Sequence, residues 1–388
     1  MKWPISRRGS STSIVEQLAA KARLKQARGE KVIYMQVGQP STGAPAEAIA
    51  KATQAIQTWP LGYTPAAGIP ELRQRIARHY QENYNTIVDA NRIIITLGSS
   101  NALILTMLGC FDANARIGLP LPFYSGYRHA LKALNINCVT FNPLDNHPLQ
   151  PMPTVDDLEA IPGGLDGLIV ASPANPTGAI LKPQELKILV DYCHRKNILF
   201  ISDEIYHGIV YQQDFPLASA LQFSDEMIVL NGFSKYYSMS GWRIGWMVVP
   251  KHLAEPLTDL AHNLFLSPSA PAQQVALAAM DCEAELTQHV QRYARNREIL
   301  LNELPQAGFD HFMPPDGAFY IYCRVKNLRH DSMQFCSEML ENCGVLASPG
   351  SDYDPHHGHH YVRFSYAGAT DQIEEAVHRI KAWRYVSH

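Results

Sequence analysis

The 388-residue chain has no C-x-x-C spacing, and its seven cysteines are scattered and odd in number. This argues against a disulfide framework and a cysteine-based zinc site, and the expectation is reduced thiols in a cytoplasmic protein. No apolar run reaches the length needed to span a bilayer. The segment MKWPISRRGSSTS has no apolar stretch behind its basic residues, so no secretory signal is expected. Basic blocks are also missing and the net charge is −3, which gives no support to binding of nucleic acid or of a membrane surface. Internal repeats and low-complexity linkers are not found. What is present is a globular composition, 46% hydrophobic, in a chain too long for one ordinary core. Two domains are expected.

Short apolar runs alternate with helical patterns from Ile93 onward. The expected strands are RIIITL (92–97), RIGL (116–119), CVTF (138–141), GLIVA (167–171), ILFIS (198–202), MIVLN (227–231) and GWMVV (245–249). Continuous apolar strands bounded by turns and separated by helices predict a parallel sheet covered on both faces, an α/β domain of the doubly wound type. Beyond Pro250 the order changes. A long polar helical stretch (272–303) leads to GAFYIYCRV, HHYVRFSYA and a final helix, which predicts a smaller α+β domain. The helix expected over 13–29 ends at Gly29 and is predicted to pack with that smaller domain. The division read here is 39–270 for the large domain, with 1–38 and 271–388 forming the small one.

Ligands of open α/β sheets sit beyond the carboxyl ends of the strands, so the residues after each strand matter most. RIIITL is followed by Gly98-Ser99-Ser100-Asn101 at a helix start, where N–H groups and hydroxyls can hold an anion, although the same residues also cap ordinary helices. GLIVA is followed by SPANPTG, whose prolines aim Asn175. ILFIS is followed by DEIYHG, and the buried carboxylate of Asp203 calls for a cationic partner. MIVLN runs into NGFSKYYSMSGWRIGW, with Lys235 and Arg243 almost alone among uncharged residues. Taken singly, each is an ordinary loop residue. Together, an anion cradle, an amide, a carboxylate, an amine and a guanidinium match pyridoxal 5′-phosphate, with its phosphate, phenolic oxygen, ring nitrogen and aldehyde.

SPANPTG, DEIYHG, FSKYYSMSGWRIGW and YVRFSYA occur in an order and at spacings that resemble the class I/II aminotransferases. That family belongs to the fold-type I pyridoxal-phosphate enzymes of the aspartate aminotransferase superfamily, and the resemblance covers nearly the whole chain. It implies a large domain with a mainly parallel sheet covered by helices, plus the smaller α+β domain. It further implies that Lys235 is the Schiff-base lysine and proton carrier, and that Asp203 pairs with the ring nitrogen. Asn175 and Tyr206 would hydrogen-bond the phenolic oxygen, and Ser99, Ser100, Ser234 and Arg243 the phosphate. Tyr124 would stack on the ring. Arg363, with the Gly38 backbone and Asn175 nearby, would take the substrate carboxylate. Tyr63, in LGYTPAAGIPELR, would reach the phosphate of a neighbouring subunit, which implies a homodimer with shared active sites.

The scaffold supports several chemistries. The expected one is ping-pong transfer of an amino group from an L-amino acid to a 2-oxo acid, 2-oxoglutarate being the expected acceptor. A carbon–sulfur β-lyase on the same fold is the alternative, and a non-enzymatic ligand sensor a further one. Some bacterial members that use aspartate carry a lysine where this chain has Ser100, so the expected donor is neutral, with aromatic and sulfur-containing side chains included; Arg7 or Arg8 would be the substitute cations otherwise. DPHHGHH (354–360) gathers four histidines but lacks an acidic or cysteine partner set, and is read as a solvated loop with no metal site.

Overall fold

The computed structural model describes residues 14–58, 60–143, 152–212, 217–309, 311–325 and 331–386. Arg7 and Arg8 lie outside them. Seven strands, β2 (Ile93–Thr96), β3 (Arg116–Pro120), β4 (Asn137–Phe141), β5 (Gly167–Ala171), β6 (Leu199–Asp203), β7 (Ile228–Gly232) and β8 (Gly245–Val248), form one sheet in the order β2-β8-β7-β6-β5-β3-β4. The sheet is mainly parallel, as expected, and β8 is the exception, antiparallel to both β2 and β7. The reversal matters for the site, since it puts the start of β8, and Arg243 before it, at the edge where the other strands end.

Alternation along the strands explains the two covered faces. Ile93, Ile95, Val170, Phe200, Val229 and Trp246 enter one core, with helices α2 (Ala46–Thr58), α3 (Pro70–Tyr84) and Pro183–Arg195. Ile94, Ile117, Ile169, Ile201, Ile228 and Met247 enter the other, with α4 (Ser99–Cys110), α5 (Ser125–Leu134) and Lys251–Phe265.

A second sheet, in the order β12-β13-β10-β9, joins Ser348–Pro349, Tyr361–Ser365, Tyr320–Arg324 and His311–Phe312, all antiparallel. Helix α1 (Ile14–Ala27) buries Leu18 and Ala22 in the core of this smaller sheet, as do Ile33 and Met35 around β1 (Ile33–Tyr34), which pairs in parallel with β11 (Val345–Leu346). The polar stretch read as one helix is two, Ala270–Ala279 and Glu283–Glu303. The first of these fills the core of the large sheet with Ala272, Val275, Ala276 and Ala279, so the division read at residue 270 cuts across that core.

Candidate active site

The carboxyl ends of β2, β3, β5, β6 and β7 and the start of β8 meet at one cavity of about 520 Å³, closed on the far side by the smaller sheet. It is lined by Ser99, Ser100, Tyr124, Asn175, Asp203, Tyr206, Ser234, Lys235, Arg243, Gly38 and Arg363. Of the described residues assigned to the cofactor or substrate in the sequence, Tyr63 alone does not line it, and Tyr63 is 86% exposed.

Lys235 is held at the centre of the wall by its Nζ, which donates to the carbonyl of Gly38. Its amine is brought down to about 8, first by burial and then by the charges of Arg363 and Arg243, against the opposing pull of Asp203. A lysine in this state is a nucleophile near neutral pH, whereas a solvated one is almost wholly protonated.

Asp203 is buried, and burial pushes its carboxyl up; hydrogen bonds from Tyr127 and Ile205 and the charge of Lys235 work the other way. The phenol of Tyr127 donates to Oδ2 at 2.5 Å and the Ile205 N–H to Oδ1 at 3.1 Å. Both donors are neutral, so the carboxylate retains its demand for a positive partner from the cavity.

At the β2 end, Gly98 takes φ +82° as the residue that starts α4, and the helix opens at Ser99 with its N–H groups toward the cavity edge. A Cβ on Gly98 would lie 2.5 Å from Arg243 Nη2, which shows how closely the guanidinium approaches this helix start. Arg243 is itself anchored through Nη1 to the Ser240 carbonyl at 2.9 Å. Ser234 stands beside them on the Lys235 turn.

Arg363 projects from β13. Its guanidinium lies between the rings of Tyr320 and Tyr353, with Cζ 4.2 and 4.8 Å from their centroids. Nη1 donates to Asn175 Oδ1 at 2.9 Å, and Nη2 to the Gln36 carbonyl and to Ser348 Oγ, the latter at 3.3 Å. Nε is buried without a partner. Burial works against this charge, and the surrounding phenols of Tyr353, Tyr320 and Tyr206, with Asp352, outweigh it. Tyr206 shares a 2.7 Å hydrogen bond with Tyr320.

Tyr127, Tyr320, Tyr353 and Asp352 were not singled out in the sequence. Tyr127 could have been found, because it lies three residues after Tyr124 and so on nearly the same face of α5. The other three depend on strand pairing and loop packing that no local pattern reveals. The histidine-rich loop also differs in part from the expectation of a solvated loop. His356, His357, His359 and His360 are not buried, but Asp354 is, accepting from the N–H groups of His356 and His357 at 2.8 and 3.0 Å. Among the described residues no cluster of three or more His, Cys, Asp or Glu is arranged to hold a metal ion, and no helix is long and apolar enough to cross a membrane.

A lysine of lowered pKa near a buried carboxylate, with two separate guanidinium groups at the carboxyl edge of such a sheet, is the kind of donor set a pyridoxal-phosphate-dependent transferase requires. The chain matches the family described as Aminotransferase class I and II over residues 30–380. It is 40% identical over 372 residues to the valine–pyruvate aminotransferase of Mycobacterium tuberculosis, covering 95% of each chain. It is 29% identical over 386 residues to the aspartate aminotransferase of Thermotoga maritima, covering 97% of this chain and 98% of that one. A solved aminotransferase structure from M. tuberculosis matches with a TM-score of 0.95 at 38% identity, over 99% of this chain and all of the other. The chain belongs to the class I and II aminotransferases, and its reaction moves an amino group from an amino acid to a 2-oxo acid.

Proposed function

We propose that this cavity binds pyridoxal 5′-phosphate and that the enzyme uses it to transfer the amino group of a neutral L-amino acid to a 2-oxo acid in two half-reactions. The observation that carries the reading is Lys235, an amine brought down to about 8 and set among Asp203, Arg243 and Arg363 in one cavity. The donor set fits the cofactor: hydroxyls, helix-start N–H groups and Arg243 for a phosphate, and an acid without a cationic hydrogen-bond partner for a pyridine nitrogen. When bound, the cofactor supplies an aldehyde to receive the amine and a ring that accepts electrons.

In this reading Ser99, Ser100, Ser234 and Arg243 hold the phosphate, Asp203 the ring nitrogen, and Asn175 and Tyr206 the phenolic oxygen. Tyr124 covers the ring. Arg363, whose Nε lacks a partner, takes the substrate carboxylate beside Gly38 and Asn175. Lys235 would hold the cofactor through its amine and would move a proton at the substrate carbon. The exposed Tyr63 serves a second copy of the chain in a homodimer with shared active sites. The seven unpaired thiols support work in the cytoplasm. A neutral donor is supported by the absence of a cation among the described cavity residues beyond Lys235, Arg243 and Arg363, apart from the imidazole of His129. The relative named for valine and pyruvate points the same way; 2-oxoglutarate is the proposed acceptor, with pyruvate the one to set against it.

The test is a titration of the purified yellow enzyme with single amino acids and no acceptor. Bleaching by valine, alanine or methionine, and recovery on adding a 2-oxo acid, is the expected result. Pyruvate release from cysteine without bleaching by any donor would overturn it.

Two further outcomes follow. Reconstitution of the apoprotein with cofactor requires the neutral amine, so its rate is expected to rise about tenfold per pH unit below about pH 8 and to level off above it. A rate still rising steeply above about pH 9 would indicate an ordinary lysine. Gly98→Ala forces a side chain into positive φ and against Arg243. It is expected to weaken cofactor binding about tenfold or more and to lower stability by about 1–2 kcal/mol, read by equilibrium dialysis and thermal melts.

A further inference from the structure

Within the short segment 123–127, Phe123, Ser125 and Tyr127 are tied to other parts of the cavity wall. The Phe123 N–H donates to the Tyr353 carbonyl at 3.1 Å. The Tyr124 ring lies against the first turn of α5, in space that a Cβ on Gly126 would invade at 2.3 Å. The Ser125 hydroxyl donates to Asp352 Oδ2 at 2.8 Å, and both residues are buried. The Tyr127 phenol holds Asp203. The segment therefore touches the ring-nitrogen acid at one end and the loop that walls Arg363 at the other.

Asp352 is the less expected member. A carboxylate only 5% exposed is costly to bury, and it stands one residue before Tyr353, whose ring covers the Arg363 guanidinium. Its hydrogen bond to Ser125 joins a loop of the smaller sheet to the helix that follows β3 in the larger one. Besides that bond, the Phe123–Tyr353 backbone bond is the other tie at this point.

We propose that Asp352 is a positioning residue. Its bond to Ser125 fixes Tyr353, and through it the Arg363 guanidinium, at a set separation from the Tyr124 and Asp203 end of the cavity. The proposal rests on the reading of Arg363 as the carboxylate site. A substrate bound at both ends senses that separation directly, since small misplacements of reacting atoms are expensive. The attachment of the cofactor at Lys235 and its phosphate site at Arg243 and the α4 start lie outside this segment, and Tyr127 keeps its own bond to Asp203.

The test uses the holoenzyme and two constants: the KM for an amino donor, and the inhibition constant of 3-methylbutanoate, an unreactive monocarboxylate. Asp352→Ala and Ser125→Ala are each expected to raise both constants about tenfold, the loss of one hydrogen bond to a buried charge. The double variant should be no worse than either single one, because both remove the same bond. Asp352→Asn, whose amide oxygen can still accept from Ser125, should stay within about twofold of the parent. The visible band and cofactor dissociation constant should not move. Unchanged constants, additive losses in the double variant, or an asparagine variant as poor as the alanine one would overturn the proposal. A parent enzyme that no donor bleaches would instead defeat the aminotransferase reading, and its 3-methylbutanoate constants would still decide the role of Asp352.

Discussion

Lys235→Ala is expected to lower turnover by about ten-thousandfold or more while leaving the fold intact. Among the described residues lining the cavity, no other side chain carries an amine. Arg363 has its pKa raised and stays a guanidinium, and the tyrosines beside it, Tyr206 and Tyr320, are buried with raised pKa values. The lysine stem leans on the rings of Tyr206 and Phe319, with Nζ 5.7 and 6.0 Å from their centroids, so truncation removes some packing. It also removes a desolvated cation, and the two effects oppose each other in stability. Thermal melts should therefore shift by only a few degrees while activity disappears. Added methylamine is expected to restore a small part of the proton transfer, a result that a merely misfolded variant would not give.

Arg363→Ala is expected to cost about a thousandfold in kcat/KM for amino acids. The loss is more than one charge, because Asn175 Oδ1, the Gln36 carbonyl and Ser348 Oγ each lose a hydrogen bond from the guanidinium, the carbonyl keeping only the one from Ser348 Oγ. Arg363→Lys should recover little. The planar guanidinium is what fits between the Tyr320 and Tyr353 rings and presents an edge to a carboxylate, and an ammonium does neither. Steady-state kinetics with an amino acid and with the corresponding simple amine separate the causes. Equal losses for both substrates would show that Arg363 supports the cavity without binding a carboxylate.

Strand positions were legible because apolar runs such as GLIVA and MIVLN are buried on both faces and bounded by turn residues. The residues after them were legible for the same reason, since a polar side chain after a buried strand has few other places to go. Lys235, Asp203, Asn175 and Ser99 are all of this kind. The direction of β8 was not legible. Its pattern, GWMVV, is equally apolar on both faces whether it runs parallel or antiparallel. The clamp on Arg363 was hidden more deeply. Tyr320 and Ser348 reach it only through the registers Tyr322↔Arg363 and Ser348↔Arg363, which pair segments far apart in the chain. The place of helix Ala270–Ala279 in the large core was not legible either, because small side chains that pack closely look like a featureless linker helix in the sequence.

The central claim is that Lys235 is the residue that carries the cofactor. Reducing the holoenzyme with borohydride, digesting it and mapping the cofactor mass onto the peptides tests this without reference to any substrate. The account predicts a single labelled peptide containing FSKYYSM, with the added mass on Lys235. A label on another lysine, or a yellow protein that yields no labelled peptide after reduction, would contradict it.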